Sequence, residues 1–314
     1  MSRSDKFFVI AFGVFILTIG ILIFLLPQKE FSESENRYLA RLPSFSAEAV
    51  FNGEYARGIS DFYTDQVPFR NIATSIYALS ERCMGKRTVG GVICDGEQLI
   101  TISQSEVTKK EAPIPSICVD SKYTLFKNQD YERLSLYYNT DHHRTTYGAY
   151  LLYVEACERL AVKPYSEEYF NRKTVCEDFY GTAFFKSRLP KFAVTPDEIE
   201  LWRYEGDENV RVTIHDTKAE MRGFYDFSRL DSVDKYAVFM GGNYAHASVI
   251  SSAEKPTLLL FKDSFANAVI PFLSLHFNIE VVDPRYATMA QMRSIYSAKK
   301  YDYCLLLGCM ESFN

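Results

Sequence analysis

The chain is 314 residues long, 47% hydrophobic and 15% aromatic, with 35 Lys plus Arg against 40 Asp plus Glu for a net charge of −5. That apolar share can bury a sizeable core, and a mildly acidic chain without a basic stripe speaks against nucleic acid as a partner. Seven cysteines (Cys83, Cys94, Cys118, Cys157, Cys176, Cys304 and Cys309) form no C-x-x-C pair and no zinc spacing, so the pattern calls for no metal and leaves at least one thiol unpaired.

Residues 7–26 are an unbroken run of twenty apolar or small residues, and crossing a bilayer takes about 20. Arg3 and Lys6 precede the run, so the positive-inside rule leaves the short amino terminus in the cytoplasm and residues from 27 onward outside. The run is longer than a usual signal-peptide core and no small-x-small cleavage site follows it, which favours an uncleaved anchor. The expected organisation is a tail and anchor over 1–26, a polar extended linker over 27–45, and one extracellular domain over 46–314.

Within that domain, residues 46–84 contain two amphipathic helical patterns split by Asp65-Gln66-Val67-Pro68. Residues 90–94 and 98–100 read as a short hairpin about Asp95-Gly96, and residues 101–116 as a short polar connection. A helix is expected over 146–160, with Tyr150, Leu151, Val154 and Cys157 on one side. Residues 184–227 alternate apolar and polar positions and look like a β-rich insertion, and residues 236–240 read as an apolar strand. From 257 onward the pattern is strand (257–261), helix, strand (279–282), helix (288–298), strand (303–307). That alternation implies parallel pairing with right-handed crossovers, hence an α/β, flavodoxin-like three-layer domain. Pro271, inside the first crossover helix, sits badly with it.

The chemistry concentrates in Thr140-Asp141-His142-His143. In an extended segment residues i and i+2 face the same side, so Asp141 and His143 can converge while His142 points away, as a base and its orienting carboxylate require. Ser264 is the candidate nucleophile. In Lys262-Asp263-Ser264-Phe265-Ala266-Asn267 it stands between a strand end and a helix start, where backbone N–H groups and the helix dipole can meet an oxyanion. Ser264 itself, Gly242 and Asn243 are the oxyanion-hole candidates, since Gly241-Gly242-Asn243 follows another apolar segment and a glycine there lets backbone approach a ligand. Arg285, after a strand end, is a substrate-binding candidate whose competing role is a salt bridge with Asp283. His215, His246 and His276 are expected to be structural or surface residues, with His246 the one that could reach the site.

Asp141-His142-His143 with Thr146, Gly148 and Ala149 resembles the signature of the DHHW proteins, which are similar to the alginate O-acetylation proteins of the SGNH hydrolase superfamily. Residues 31–39, Asp65-Gln66-Val67-Pro68-Phe69-Arg70, Gly241-Gly242-Asn243, 262–267 and Val282-Asp283-Pro284-Arg285-Tyr286 match in the same order along nearly the whole chain. The resemblance puts Asp141, His143 and Ser264 in the triad positions. It departs at Arg144, where the family has Trp, so that a cation replaces an aromatic plate beside the histidine and becomes a second substrate-binding candidate. It departs again at residues 101–116, where the family usually carries another core strand and helix.

The function implied is acetyl transfer or acetyl-ester hydrolysis on a cell-envelope polysaccharide, through an acetyl-Ser264 intermediate and without a cofactor. The resemblance also implies a membrane-bound O-acyltransferase as acetyl donor, and the anchor implies a single-pass protein at the cell membrane with its catalytic domain outside. A degenerate fold acting as a non-catalytic polysaccharide-binding protein is the alternative, with Arg144 and the short connection in its favour.

Overall fold

The structure, a computed structural model, describes residues 3–25, 27–32, 37–68, 70–89, 92–95, 98–101, 117–120 and 136–308. The chain forms two compact units, residues 1–90 with 185–193, and residues 91–184 with 194–314.

The first unit opens with helix α1 (Arg3–Leu25), whose stretch Lys6–Ile23 is long and apolar enough to cross a membrane. A two-residue pair of strands follows, β1 (Phe31–Ser32) and β2 (Arg37–Tyr38), in the segment expected to be extended. The amphipathic patterns become α2 (Ala47–Phe51), α3 (Glu54–Gln66) and α4 (Arg70–Cys83), ahead of the short strand β3 (Thr88–Val89). Ser46 caps α2 by accepting the N–H of Ala49. The break between α3 and α4 falls at Pro68, which lacks an N–H and disfavours helical backbone in the residue before it.

In the second unit, β4 (Val92–Asp95) and β5 (Gln98–Thr101) form the expected hairpin, with Asp95 opposite Gln98. The connection expected over 101–116 lies, from residue 102, outside the described residues. Directly after it comes β6 (Ile117–Asp120), paired parallel with the last strand of the central sheet. Helix α5 (Thr146–Arg159) is capped by Thr145, whose hydroxyl accepts the N–H of Gly148.

The region expected to be a β-rich insertion contributes in two ways. β8 (Asp197–Arg203) pairs with β7 (Asn171–Phe179) in a separate two-stranded sheet, whereas β9 (Arg211–Ile214) and β10 (Ala219–Arg222) extend the central sheet. Residues 236–240 do not form the expected strand. Lys235–Val238 is a 3-10 turn, with Tyr236, Ala237 and Val238 buried. A short apolar run signals burial without specifying strand geometry.

The central sheet is completed by β11 (His246–Ile250), β12 (Thr257–Lys262), β13 (Asn278–Val282) and β14 (Tyr303–Gly308), in the order β10-β9-β11-β13-β12-β14-β6. β13, β12, β14 and β6 run parallel, as the alternating pattern required, and β11, β9 and β10 continue antiparallel.

Side chains alternate across each strand. Leu258 and Leu260 join one core with Leu152, Tyr153 and Ala156 of α5. Leu259 and Phe261 join another, against which Met292 and Ile295 of helix α8 (Met289–Ala298) pack. Helices thus cover both faces, and β12, buried on both, reads as a continuous apolar run. Each fully buried leucine there contributes about 1.5–3 kcal/mol of transfer free energy.

The first crossover is shorter than expected. Ser264–Ala266 is a single 3-10 turn, followed by the four-residue helix α7 (Ile270–Leu273). Pro271 stands in the first turn of α7, where a missing N–H costs nothing, so the proline that seemed to oppose a long helix instead opens a short one. The remaining helix, α6 (Thr182–Ser187), follows β7. Cys83, Cys94, Cys157, Cys176 and Cys304 are free thiols.

Candidate active site

The Asp141–His143 segment is held from three directions. Leu99 of β5 donates its N–H to the carbonyl of Asn139 at 2.7 Å. Asp197, the first residue of β8, accepts the N–H groups of Asn139 (2.8 Å) and Thr140 (2.7 Å) and the Thr140 hydroxyl (2.6 Å). The Thr140 hydroxyl in turn accepts the Gly181 N–H at 3.0 Å. Tyr137 and Arg144 bridge in antiparallel fashion and close the loop just before the α5 cap.

The loop is a bend and not the extended segment expected. Asp141 Oδ1 accepts the backbone N–H of His143 at 2.7 Å, the short-range turn that Asp side chains favour. His142 therefore does not point away. Its ring lies 4.0 Å from that of His143, and its Nδ1 is 3.6 Å from Asp141 Oδ1.

The same Asp141 Oδ1 lies 2.6 Å from His143 Nδ1, and His143 Nε2 lies 2.9 Å from Ser264 Oγ. Asp141 Oδ2 accepts the Thr182 N–H at 2.7 Å, from the start of α6. All three residues are buried, at 4, 7 and 8% exposure. Burial alone would raise the Asp141 carboxyl, but the charge and hydrogen bond of His143, with His142 and the Thr182 N–H, hold it well below the ordinary carboxylate range. A carboxylate so held orients the imidazole tautomer with Nε2 toward the serine.

Gly181 and Tyr236, which the sequence reading passed over, shape this centre. A Cβ on Gly181 would collide with the Cβ and carboxylate of Asp141. Tyr236 stacks on His143. Arg144 is 1% exposed, with its guanidinium 5.1 Å from the Tyr137 ring.

Ser264 stands just past β12, and the intervening Asp263 accepts the Phe265 N–H at 2.9 Å. With only a 3-10 turn behind it, the expected contribution of a helix dipole at Ser264 is lost. Beside it, buried Lys262 donates to Asn243 Oδ1 (2.9 Å) and Asn267 Oδ1 (2.7 Å) and lies 3.6 Å from Asp283. An ammonium can only donate, so these contacts fix both amides with their oxygens toward Lys262 and leave each Nδ2 as a donor. Burial, opposed by Asp283, pushes the Lys262 ammonium down to about 8.

Asn267 Nδ2 reaches the Gly242 carbonyl (3.4 Å) and Asn243 Oδ1 (3.1 Å). Gly241 and Gly242 have φ of 73° and 130°, which only glycine adopts without strain. The structure therefore brings Gly242 and Asn243 to the turn that carries Ser264, through Asn267. Arg285 is held by a two-pronged pair with Asp283, at 2.9 and 2.7 Å, as its competing role required. His246 bonds Glu280 at 2.8 Å and His276 bonds the Tyr153 hydroxyl at 2.8 Å, so neither joins the Ser264 site. Lys262, Asn267 and Asp283 stood in the segments quoted for the family resemblance, and only their mutual contacts were invisible.

Among solved structures, a DHHW family protein from Eubacterium siraeum is 24% identical, with a TM-score of 0.47 over 57% of this chain and 60% of that one. The chain thus spans less than two thirds of that relative. Bacillus cereus PatB1 with a sulfonyl adduct is 13% identical at a TM-score of 0.48, over 60% of this chain and 67% of that one. Bacillus cereus PatB1 in a further structure is 16% identical at 0.48, over 62 and 74%. No curated protein matches the chain. The DHHW protein family matches residues 116–282, more than half of the sequence and all of the segment from β6 through the Ser264 turn to β13, and the chain belongs to that family.

Proposed function

We propose that the protein is a membrane-anchored O-acetyltransferase or acetylesterase of the SGNH type, with a flavodoxin-like domain over residues 46–314 outside the cell and a cell-envelope polysaccharide as acceptor. The continuous relay from Asp141 Oδ1 through His143 to Ser264 Oγ carries this reading.

In the proposed cycle Ser264 Oγ attacks the carbonyl carbon of an acetyl donor while His143 Nε2 takes the hydroxyl proton. Asp141 keeps the proton on Nδ1 and stabilises the imidazolium. Collapse of the tetrahedral species breaks the bond to the donor's leaving group, which takes the proton from His143, and leaves acetyl-Ser264. A sugar hydroxyl or water, deprotonated by the same His143, then attacks the acetyl carbon. The serine departs with the proton, and the product is an O-acetyl sugar or free acetate. The Nδ2 end of Asn243 and backbone near Gly242 are the proposed oxyanion donors, and a membrane-bound O-acyltransferase is the proposed donor partner.

The test is labelling of the detergent-purified full chain with a fluorophosphonate. Labelling that disappears in Ser264→Ala supports the reading. A folded wild type that takes no label would leave polysaccharide binding without chemistry as the better account. For the anchor, protease added to intact cells should digest residues beyond 27 and spare the amino terminus. A protected domain would reverse the orientation.

A further inference from the structure

Away from the Ser264 site, three neighbouring antiparallel strands bring a second group of chemistry-bearing side chains to one sheet face. In the register of β11 with β13, His246 opposes Val282 and Ser248 opposes Glu280. His215, one residue past β9, donates its backbone N–H to the His246 carbonyl at 3.0 Å. Alternation then puts His246 and Ser248 on the same face of β11, with Glu280 beside Ser248 and His215 beside His246.

The side chains converge. Ser248 Oγ lies 2.6 Å from both His215 Nε2 and Glu280 Oε2, and His246 Nε2 lies 2.8 Å from the same Glu280 oxygen. The two imidazoles stack at 4.0 Å, and one ligand atom from each of His215, His246 and Glu280 falls within 4.8 Å of the others. Both histidines line a cavity of about 350 Å³ together with Asp216, Gln291 and Ser294, which supplies an entry path and room for water.

We propose that His215 Nε2, His246 Nε2 and Glu280 Oε2 bind one divalent transition-metal ion, zinc by their chemistry, with water from the cavity as fourth ligand. Two imidazoles and one carboxylate are a ligand set that zinc takes with a position left open. Zinc bonds of about 2.0–2.2 Å require the three atoms to draw closer, and exposed His215 at the strand end is the ligand free to move. The supporting partners are already placed. Lys299 Nζ holds Glu280 Oε1 at 2.7 Å, which leaves Oε2 as a single-oxygen ligand. Asp216 accepts the backbone N–H groups of Ala245 (2.6 Å) and His246 (3.1 Å) and so fixes the strand that carries the second imidazole. Outer partners of this kind set ligand orientation and affinity. The site was hidden from the sequence because its ligands are 31 and 34 residues apart and no cysteine takes part.

This inference is independent of the acetyl-transfer reading. The full chain in detergent, stripped with a chelator and dialysed against micromolar zinc chloride, should retain one zinc per chain and gain thermal stability from it. Cobalt(II) in its place should show the intense visible absorption of a four-coordinate site. His215→Ala, at an exposed position, and the nearly isosteric Glu280→Gln should each weaken zinc binding by about 100-fold or more, beyond what loss of an outer partner costs. His143→Ala should leave it intact. Zinc retained equally by both site variants, zinc lost in His143→Ala, or no zinc retained by the folded wild type would each overturn the proposal.

Discussion

The ring of Tyr236 lies 3.8 Å from the imidazole of His143, centroid to centroid, with the two planes 7° apart. Its hydroxyl reaches back to the Ser264 carbonyl at 3.4 Å. One buried tyrosine from the 3-10 turn thus touches both halves of the relay and holds the imidazole in a single plane. Tyr236→Phe keeps the stack and is expected to stay within about threefold of wild-type acetyl-ester turnover. Tyr236→Leu frees the ring and should lower kcat by about 10- to 100-fold, the scale of a misplaced catalytic group. Steady-state kinetics on an acetyl ester separates the two. Equal activity in both variants would show that the stack does not position His143.

His143→Ala and Ser264→Ala should each lower turnover by about 10³ or more, and the double variant should be little worse than either. Non-additivity follows from a nucleophile and base that act on one proton. His142→Ala should be milder, because its ring neighbours His143 and Asp141 while the Ser264 contact belongs to His143. Additive losses in the double variant would separate His143 from Ser264 in function.

Gly181→Ala tests the support of Asp141. The added methyl meets the Asp141 carboxylate, so the loop or the carboxylate must shift and the tautomer lock on His143 loosens. Turnover should drop by about tenfold or more, with a stability loss of about 1–3 kcal/mol from overpacking. Full activity with unchanged unfolding would show that the loop between β7 and α6 yields without cost.

Lys262 makes stability depend on pH in the opposite sense to an ordinary ion pair. Its ammonium is lowered to about 8 in the folded chain, against about 10.4 when unfolded. Below pH 8 both states hold the proton and the burial penalty is present in full. Between about 8 and 10.4 the unfolded chain binds the proton that the folded chain has released, so stability rises with pH. Urea unfolding at pH 8 and 9.5 should show wild type gaining on the order of 1 kcal/mol relative to Lys262→Met. A difference that is flat or negative over that interval would mean the buried ammonium is fully compensated by Asp283.

Local pattern made much of this protein legible. The buried run of β12, the alternating strands and helices after it, the helix α5 and the hairpin at β4 and β5 all follow from neighbours in sequence, because periodicity is set within a few residues. Asp141, His143 and Ser264 are legible as residue types, in a segment read as extended and at a strand end, and the structure replaces the extended segment with a bend. What brings His143 to Ser264 is not local, for the two are 121 positions apart and meet only when the loop before α5 packs beside the end of β12. Tertiary packing likewise decided that the ring stacked on His143 comes from Tyr236, that Arg144 is buried against Tyr137, and that the segment 236–240 turns where a strand was expected. Apolar composition reports that a residue is buried, whereas its partner and backbone geometry depend on which distant surface it is buried against.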